Sequence, residues 1–303
     1  MRVAAIDCGT NSIRLLVAEP GPDSRPVEVD RQLELVRLGQ GVDAAGEFHP
    51  EALQRTFAAI DHYAQVIADH GVERVRFVAT SAARDAHNRE LFFDGVRSRL
   101  GVEAEVIPGA EEAALSFAGA LSGVRPEAGP VLVVDIGGGS TELVLGQRDA
   151  TILQATSLDM GSVRLRERLL VSDPPSHDEV TTATDFVDHL LDGSGIDFGR
   201  VASFIGVAGT ATSLSAIHQE LPHYQRDKVH RSVLSVDQIQ HLADRLLGMS
   251  ASQVEASTCL PAKRAEVICG GALILSRIAA RVEQTMTVSE SDILDALAAG
   301  LLA

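Results

Sequence analysis

The sequence feature that most constrains the fold is an apolar segment, interrupted by glycine, that occurs twice. The second copy reads VLVVDIGGGSTELVLG (Val131–Gly146), and it aligns without gaps with VAAIDCGTNSIRLLVAE (Val3–Glu19). The alignment places Asp7 on Asp135, Gly9 on Gly137, Ser12 on Ser140, and Leu15-Leu16-Val17 on Leu143-Val144-Leu145. The two copies begin at Val3 and Val131, far enough apart in the sequence for each to belong to its own domain. The repeat therefore predicts two similar domains, each opening with a strand, a tight turn and a second strand.

The glycines of these turns suggest a phosphate-binding function. The glycines Gly137, Gly138 and Gly139 would weaken a core strand, but they suit a backbone that turns tightly or approaches a ligand closely. Backbone N–H groups in such a turn can bind phosphate oxygens. A structural hairpin turn is the alternative for either copy alone, and the duplication favours a phosphate clamp between two domains. We therefore expect Gly9, Thr10, Asn11, Ser12, Gly137, Gly138, Gly139 and Ser140 to bind phosphate.

An acid stands at the end of the strand that precedes each turn. Asp7 and Asp135 would repel a phosphate directly, unless a divalent cation lay between carboxylate and phosphate. Glu142 follows Ser140 by two residues, so strand alternation places both on one face, where Glu142 could help to position metal or water. A solvated strand acid is the alternative for Glu142, and its counterpart in the first copy is Arg14.

Further candidates lie between and after the two copies. Glu111 and Glu112 are adjacent, and on a helix they point about 100° apart, so at most one faces a given cleft. Both acids also suit the first turn of a helix, where they complement its dipole.

Arg84, just after a strand, is placed to reach a bound anion, with a surface arginine as the alternative. Gly209 and Thr210, at a strand-to-helix turn, could present backbone N–H groups to an anion.

Composition limits the function classes. The chain has 303 residues and a formal net charge of −16, which argues against broad electrostatic binding of nucleic acid. No apolar run approaches the length of a membrane span, and the N-terminus lacks the features of a signal peptide, so we expect a cytoplasmic protein.

Strands that alternate with helices predict α/β domains, with the boundary in VRPEAGP (Val124–Pro130). The predicted domains are 1–125 and 126–303.

Seven motifs, in this order and spacing, resemble the Ppx/GppA phosphatase family of the actin-like ATPase superfamily. They are DCGTNS, ATSAARDAHN, GAEEA, DIGGGSTEL, MGSVRL, GVAGTATSL and RAEVICGGALIL. The resemblance covers nearly the whole chain. It implies two RNase-H-like α/β domains that face each other across a cleft, with the last helix packing on the first domain.

The resemblance also implies an activity and a role for each residue. Family members hydrolyse the terminal phosphate of inorganic polyphosphate, or the 5′ γ-phosphate of guanosine pentaphosphate, with Mg²⁺. By correspondence, Glu112 is the catalytic glutamate, Asp135 and Glu142 are the acids for metal and water, and Asp7 is the first loop acid. We expect Mg²⁺, with Mn²⁺ as the alternative, and a homodimer.

Polyphosphate, as short chains, is the first expected substrate, because the extra helical domains of longer family members are missing here. Three alternatives stay open at this point. The same site could hydrolyse guanosine pentaphosphate. An actin-like kinase would use GVAGTATSL for adenine, and a sensor would bind polyphosphate or the guanosine compound without turnover.

Overall fold

The chain divides into two compact units. The computed structural model describes residues 1–21 and 26–303. Unit 1 comprises Met1–Leu115 with Ile293–Ala303, and unit 2 comprises Ser116–Asp292. The C-terminal segment therefore belongs to unit 1, although it follows unit 2 in sequence.

The chain contains short strands, most of which have a counterpart in the other unit. In chain order they are β1 (Val3–Cys8), β2 (Ile13–Pro20), β3 (Pro26–Glu34), β4 (Arg74–Ala79), β5 (Ala104–Val106), β6 (Val131–Ile136), β7 (Thr141–Gly146), β8 (Ile152–Leu158), β9 (Ser203–Val207), β10 (Val233–Leu234) and β11 (Met286–Val288). Both predicted hairpins, β1–β2 and β6–β7, are confirmed as antiparallel pairs.

The helices fill the connections between these strands. They are α1 (Val42–Ala45), α2 (Pro50–Asp69), α3 (Ser81–Asp85), α4 (Glu90–Leu100), α5 (Gly109–Gly123), α6 (Ser162–Arg168), α7 (His177–Asp192), α8 (Ala208–His218), α9 (Arg226–Val229), α10 (Val236–Leu247), α11 (Ala251–Ser257), α12 (Ala262–Ala265), α13 (Ile268–Val282) and α14 (Ile293–Leu302), with a 3₁₀ turn at Phe198–Arg200. Among residues 1–21 and 26–303, none of these helices combines the length and the apolar character needed to cross a membrane.

The sheet of unit 1 is mixed and has the order β3-β2-β1-β4-β5. Strand β1 pairs antiparallel with β2 and parallel with β4. Its side chains alternate between two apolar layers, because successive strand residues point to opposite faces. Ala4 and Ile6 belong to the layer that contains α2 and α4, whereas Val3 and Ala5 pack in the layer that contains α14.

Unit 2 repeats this arrangement. Its sheet has the order β10-β11-β9-β6-β7-β8, in which β6 pairs antiparallel with β7 and parallel with β9. The strands β8-β7-β6-β9-β11 therefore correspond in order to β3-β2-β1-β4-β5. This repeated order, with helices on the sheets, confirms the predicted pair of similar α/β domains.

The division between the units falls inside α5, after Leu115, and not at the predicted position 125/126. The second half of α5 packs on the hairpin of unit 2. Ser116 donates a hydrogen bond to Asp135 at 2.7 Å, and a Cβ added to Gly146 would lie 2.5 Å from the Phe117 ring. Sequence composition marks the loop after α5, whereas packing already assigns half of this helix to unit 2.

Two elements differ from the sequence prediction. The exposed edge strand β3 was not predicted, because most of its side chains are polar or solvent-facing and lack an apolar pattern. The apolar motif RAEVICGGALIL, which reads as part of one continuous helix, is divided between α12 and α13. Near this interruption the Glu266 carbonyl accepts a hydrogen bond from Arg166 Nε at 3.1 Å.

We predict that the packing of α14 on β1 stabilises unit 1. Leu297 is 1% exposed and packs in the apolar layer of β1. Leu297→Ala should lower the free energy of unfolding by about 2–5 kcal/mol, since it removes buried methyl groups and leaves a cavity. Gly300→Ala on the same helix is the control, because a Cβ there meets no atom within 4 Å. Equal thermal midpoints for the two variants would contradict this packing.

Candidate functional site

The turns of the two hairpins close with the same backbone hydrogen bond. In unit 1 the Gly9 N–H donates to the Ser12 carbonyl at 2.9 Å, and in unit 2 the Gly137 N–H donates to the Ser140 carbonyl at 3.0 Å. The repeat found in the sequence is therefore also a repeat of backbone geometry.

In the second turn, every carbonyl from Gly137 to Gly139 is held by the start of α6. The Gly137 carbonyl accepts from the Ser162 N–H at 2.9 Å, and the Gly138 carbonyl accepts from the N–H groups of Val163 and Arg164 at 2.9 and 3.0 Å. The Gly139 carbonyl accepts from Arg164 Nε at 2.8 Å. Three consecutive peptide groups are thus fixed by their oxygen atoms.

This anchoring sets the direction of the N–H groups. In a trans peptide the N–H points opposite to the carbonyl of the preceding residue. The N–H groups of Gly138, Gly139 and Ser140 therefore point away from α6. In the part of the chain that the structure describes, they donate to no backbone carbonyl. Successive N–H groups presented in this way are suited to bind an anion.

Several small residues allow this close packing. A Cβ on Gly161 would lie 2.4 Å from the Gly138 carbonyl oxygen, so only glycine fits at the start of α6. A Cβ on Gly270 would lie 2.8 Å from the Ser162 carbonyl oxygen, and one on Gly271 would lie 2.5 Å from Thr210 Oγ1. The two glycines of α13 thus allow this helix to pack closely against α6 and α8 behind the turn.

The first turn is anchored by a different segment in the same manner. The Thr10 carbonyl accepts from the Gly39 N–H, and the Asn11 carbonyl accepts from the Arg37 N–H, both at 2.9 Å. The N–H groups of Asn11 and Ser12 consequently point away from that segment. The Asn11 side chain is 4% exposed, and its amide atoms have no hydrogen-bond partner among residues 1–21 and 26–303.

The acids of unit 2 face each other across the hairpin. Asp135 and Glu142 are directly paired in the β6–β7 register, and both are buried. Ser116 donates to Asp135, and Ser157 donates to Glu142, each at 2.7 Å. Within the described ranges, His, Cys, Asp and Glu side chains form no group of three or more that could hold a metal ion. Two carboxylates are therefore the protein ligands that this hairpin offers.

In unit 1 the corresponding position holds an ion pair. Asp7 and Arg14 are directly paired in the β1–β2 register, and Arg14 Nη2 lies 2.6 Å from Asp7 Oδ2. Burial and the charge of Asp7 raise the pKa of the neighbouring Cys8 thiol, which is therefore neutral. Cys8 is a poor nucleophile for this reason.

Glu112 and Glu111 have different partners, as their positions on the helix predict. Glu112 is 9% exposed and accepts a hydrogen bond from Arg84 Nη1 at 2.8 Å. The same nitrogen also donates to the Ile107 carbonyl at 2.9 Å. Glu111 accepts from Arg76 at 3.0 Å instead. Arg84, predicted to reach an anion, therefore holds the Glu112 carboxylate in this structure.

The start of α8 lies behind the second turn. Thr210 Oγ1 donates to the Ile136 carbonyl at 3.3 Å, which ties α8 to the end of β6. A Cβ on Gly209 would lie 2.5 Å from the Arg264 guanidinium, so the glycine allows this cation to approach the backbone. Both residues predicted from this motif thus adjoin the end of β6 or a basic side chain.

Sequence reasoning missed the groups that hold the acids. Ser116 and Ser157 carried no signal, because their contacts depend on the direction of α5 and on the β7–β8 register, which pairs Glu142 with Ser157. Arg14 was recognised only as the counterpart of Glu142. Comparing the two copies position by position would have suggested its pairing with Asp7.

Comparisons with known proteins show which family this chain is similar to. The model of the Ppx/GppA phosphatase family matches residues 17–294. A relative from Mycobacterium tuberculosis, named exopolyphosphatase 2, is 44% identical over 99% of this chain and 98% of its own length. A relative from Photobacterium profundum, named guanosine-5′-triphosphate,3′-diphosphate pyrophosphatase, is 31% identical over 71% of this chain and 43% of its own length.

Solved structures are similar over the whole chain. The crystal structure of an exopolyphosphatase-like protein is 40% identical and superposes with a TM-score of 0.95, covering 100% of this chain and 99% of the other. The sequence similarity and the fold similarity therefore extend over the same residues.

We predict that Gly161 is required for anion binding by the second turn. Gly161→Ala should weaken the affinity for tripolyphosphate by about 10- to 100-fold, since displacing Gly138 loses at least one hydrogen bond to a charged group. Gly248→Ala is the control, because its nearest contacts are ordinary ones at 3.6 Å. Calorimetry measures both affinities, and an unchanged affinity in Gly161→Ala would show that this turn does not bind the anion.

Proposed function

The chain belongs to the Ppx/GppA phosphatase family, and on this premise we propose that it is an exopolyphosphatase that releases the terminal phosphate of inorganic polyphosphate. The observation that carries the proposal is the anchored turn of unit 2, in which three carbonyls bind α6 and the following N–H groups point to the opposite side. A terminal phosphoryl group, with several negatively charged oxygens, is a suitable ligand for such N–H groups.

The acids of unit 2 fit a divalent cation. Asp135 and Glu142 are directly opposite and buried, and like charges in this position repel. The two carboxylates would hold a divalent cation, whose charge would offset that repulsion. Mg²⁺ is usually held by one or two carboxylates together with water and substrate phosphates, which agrees with a donor set of two acids. We propose Mg²⁺ as the cofactor, with Mn²⁺ as the alternative.

Asp135 and Glu142 would hold the cation, and their serine partners would fix both carboxylates. When bound, the cation neutralises phosphate charge and polarises a phosphoryl oxygen. Catalysis of phosphoryl transfer depends mainly on such positioning and charge stabilisation. The N–H groups of Gly138, Gly139 and Ser140 would orient the phosphate, and those of Asn11 and Ser12 are proposed as further donors.

Glu112 is the proposed general base. It is the better of the two adjacent acids for this role, because it is buried and held by Arg84, whereas Glu111 is half-buried beside Arg76. The carboxylate would accept a proton from the attacking water, whose oxygen forms a bond to the terminal phosphorus while the bond to the bridging oxygen breaks. The shortened chain leaves with that bridging oxygen.

Guanosine pentaphosphate is the second candidate substrate. The relative from Photobacterium profundum is named for a guanosine phosphate. The 5′ end of guanosine pentaphosphate carries the same kind of phosphoanhydride as polyphosphate. Phosphate release from polyphosphate of several lengths, guanosine pentaphosphate and ATP, each with and without EDTA, tests the proposal. Mg²⁺-dependent release from short polyphosphate is expected. No release from any polyphosphate would overturn the proposal, and release that requires a second acceptor would indicate a kinase.

We predict that Glu112→Gln and Glu111→Gln behave differently. Glutamine keeps the size and hydrogen-bonding reach of glutamate but cannot accept the proton, so Glu112→Gln should lower kcat by about 10²–10⁴-fold while polyphosphate still binds. Glu111→Gln removes only the ion pair with Arg76, which is half-buried and still accessible to solvent, so that it is worth about 0–1 kcal/mol in stability. Near-normal turnover of Glu112→Gln would rule out this base.

A further inference from the structure

The two hairpins differ in charge at one matched pair of positions. Asp7 and Asp135 occupy the same place in the repeat, and each has a directly opposite partner in the next strand. That partner is Arg14 in unit 1 and Glu142 in unit 2. The backbone is repeated, but one hairpin carries two acids and the other carries an acid and a base.

Both hairpins contain a buried carboxylate whose negative charge must be compensated. A buried carboxylate at the end of a strand needs a positive charge nearby, and a carboxylate beside a phosphate needs one even more. In unit 1 the protein itself supplies this positive charge, on the side chain of Arg14. Nε and Nη2 of Arg14 lie 3.1 and 2.6 Å from Asp7 Oδ2, and both side chains are largely buried.

The third strand of each sheet supports this difference. Glu142 is paired in the β7–β8 register with Ser157, which donates a hydrogen bond to it. Arg14 is paired in the β2–β3 register with Leu33. Unit 2 therefore supplies a hydroxyl group that orients a carboxylate, as expected around a metal ligand, whereas unit 1 places an apolar residue there.

We infer that Arg14 is a resident cation that takes the place of a second metal ion. Asp7 then binds Arg14 and is not a metal ligand, and the divalent cation binds only between Asp135 and Glu142. This inference deepens the proposed function, because it rests on the cation assigned there to unit 2. The guanidinium also leaves the first turn able to accept a phosphate, since its charge offsets that of Asp7.

The internal repeat supplies a reciprocal experiment. Mn²⁺ binding is counted by calorimetry and by electron paramagnetic resonance, with MnCl₂ alone and no phosphate compound. The parent should bind about one Mn²⁺ per chain, and Arg14→Glu, which copies the acid pair of unit 2, should bind about two. Glu142→Arg, which copies the ion pair of unit 1, should bind none.

Asp7→Asn separates the two assignments without a change in size. If Arg14 is the partner of Asp7, this variant still binds about one Mn²⁺ with an affinity within about twofold of the parent, whereas loss of a ligand would weaken binding by about tenfold or more. A loss of that size in Asp7→Asn would overturn the inference. So would a parent that binds two ions or none, or a folded Arg14→Glu variant that binds no more than the parent.

The thermal midpoint shows whether each variant is folded. Should Arg14→Glu fail to fold, the comparison of Asp7→Asn with the parent decides alone. Because no phosphoanhydride is present, these counts do not depend on which substrate the protein cleaves. A protein that hydrolyses no polyphosphate could still bind one Mn²⁺ as inferred, so failure of the proposed function is recognised separately.

Discussion

The rest of the candidate site depends on the anchoring of the glycine turn in unit 2 to the start of α6. Each carbonyl from Gly137 to Gly139 accepts a hydrogen bond from α6, and the planarity of the peptide then fixes the opposite N–H groups. Gly161 permits the close approach, and the glycines of α13 let that helix pack behind α6 and α8. Three glycines in the turn would otherwise be free to adopt many conformations. The turn is rigid because its neighbours hold its oxygen atoms.

The acidic side chains, like the glycine turn, are held in place by hydrogen bonds from neighbouring elements. Ser116 holds Asp135, Ser157 holds Glu142, Arg84 holds Glu112, and Arg14 holds Asp7. Groups that must act on a phosphate without reorganising are effective when their orientation is set beforehand. Each of these donors comes from a different element than the acid it holds, so the fold of each unit determines the geometry of its acids. The two hairpins share one backbone arrangement, and the residues at a few positions give them different charges.

Much of this could be predicted from the sequence, because the signals were local. The hairpins and the different directions of Glu111 and Glu112 follow from periodicity, and the family resemblance rests on short motifs. The division inside α5 could not be predicted, since Ser116 and Phe117 make contacts that only the packing of unit 2 reveals. Ser157 was equally hidden, because a hydroxyl on an edge strand becomes informative only when the register is known. Arg84 was predicted to reach an anion, whereas in the structure it donates a hydrogen bond to Glu112, the predicted base.

The central step of the proposed reaction is the attack of water on the terminal phosphorus of polyphosphate. Hydrolysis in water enriched in ¹⁸O tests this directly, because the attacking oxygen remains on the phosphorus atom that it reaches. Mass spectrometry of the products should find one ¹⁸O in each released orthophosphate and none in the shortened chain. Label in the shortened chain would place the attack on the other phosphorus atom of the anhydride. That result would contradict the account.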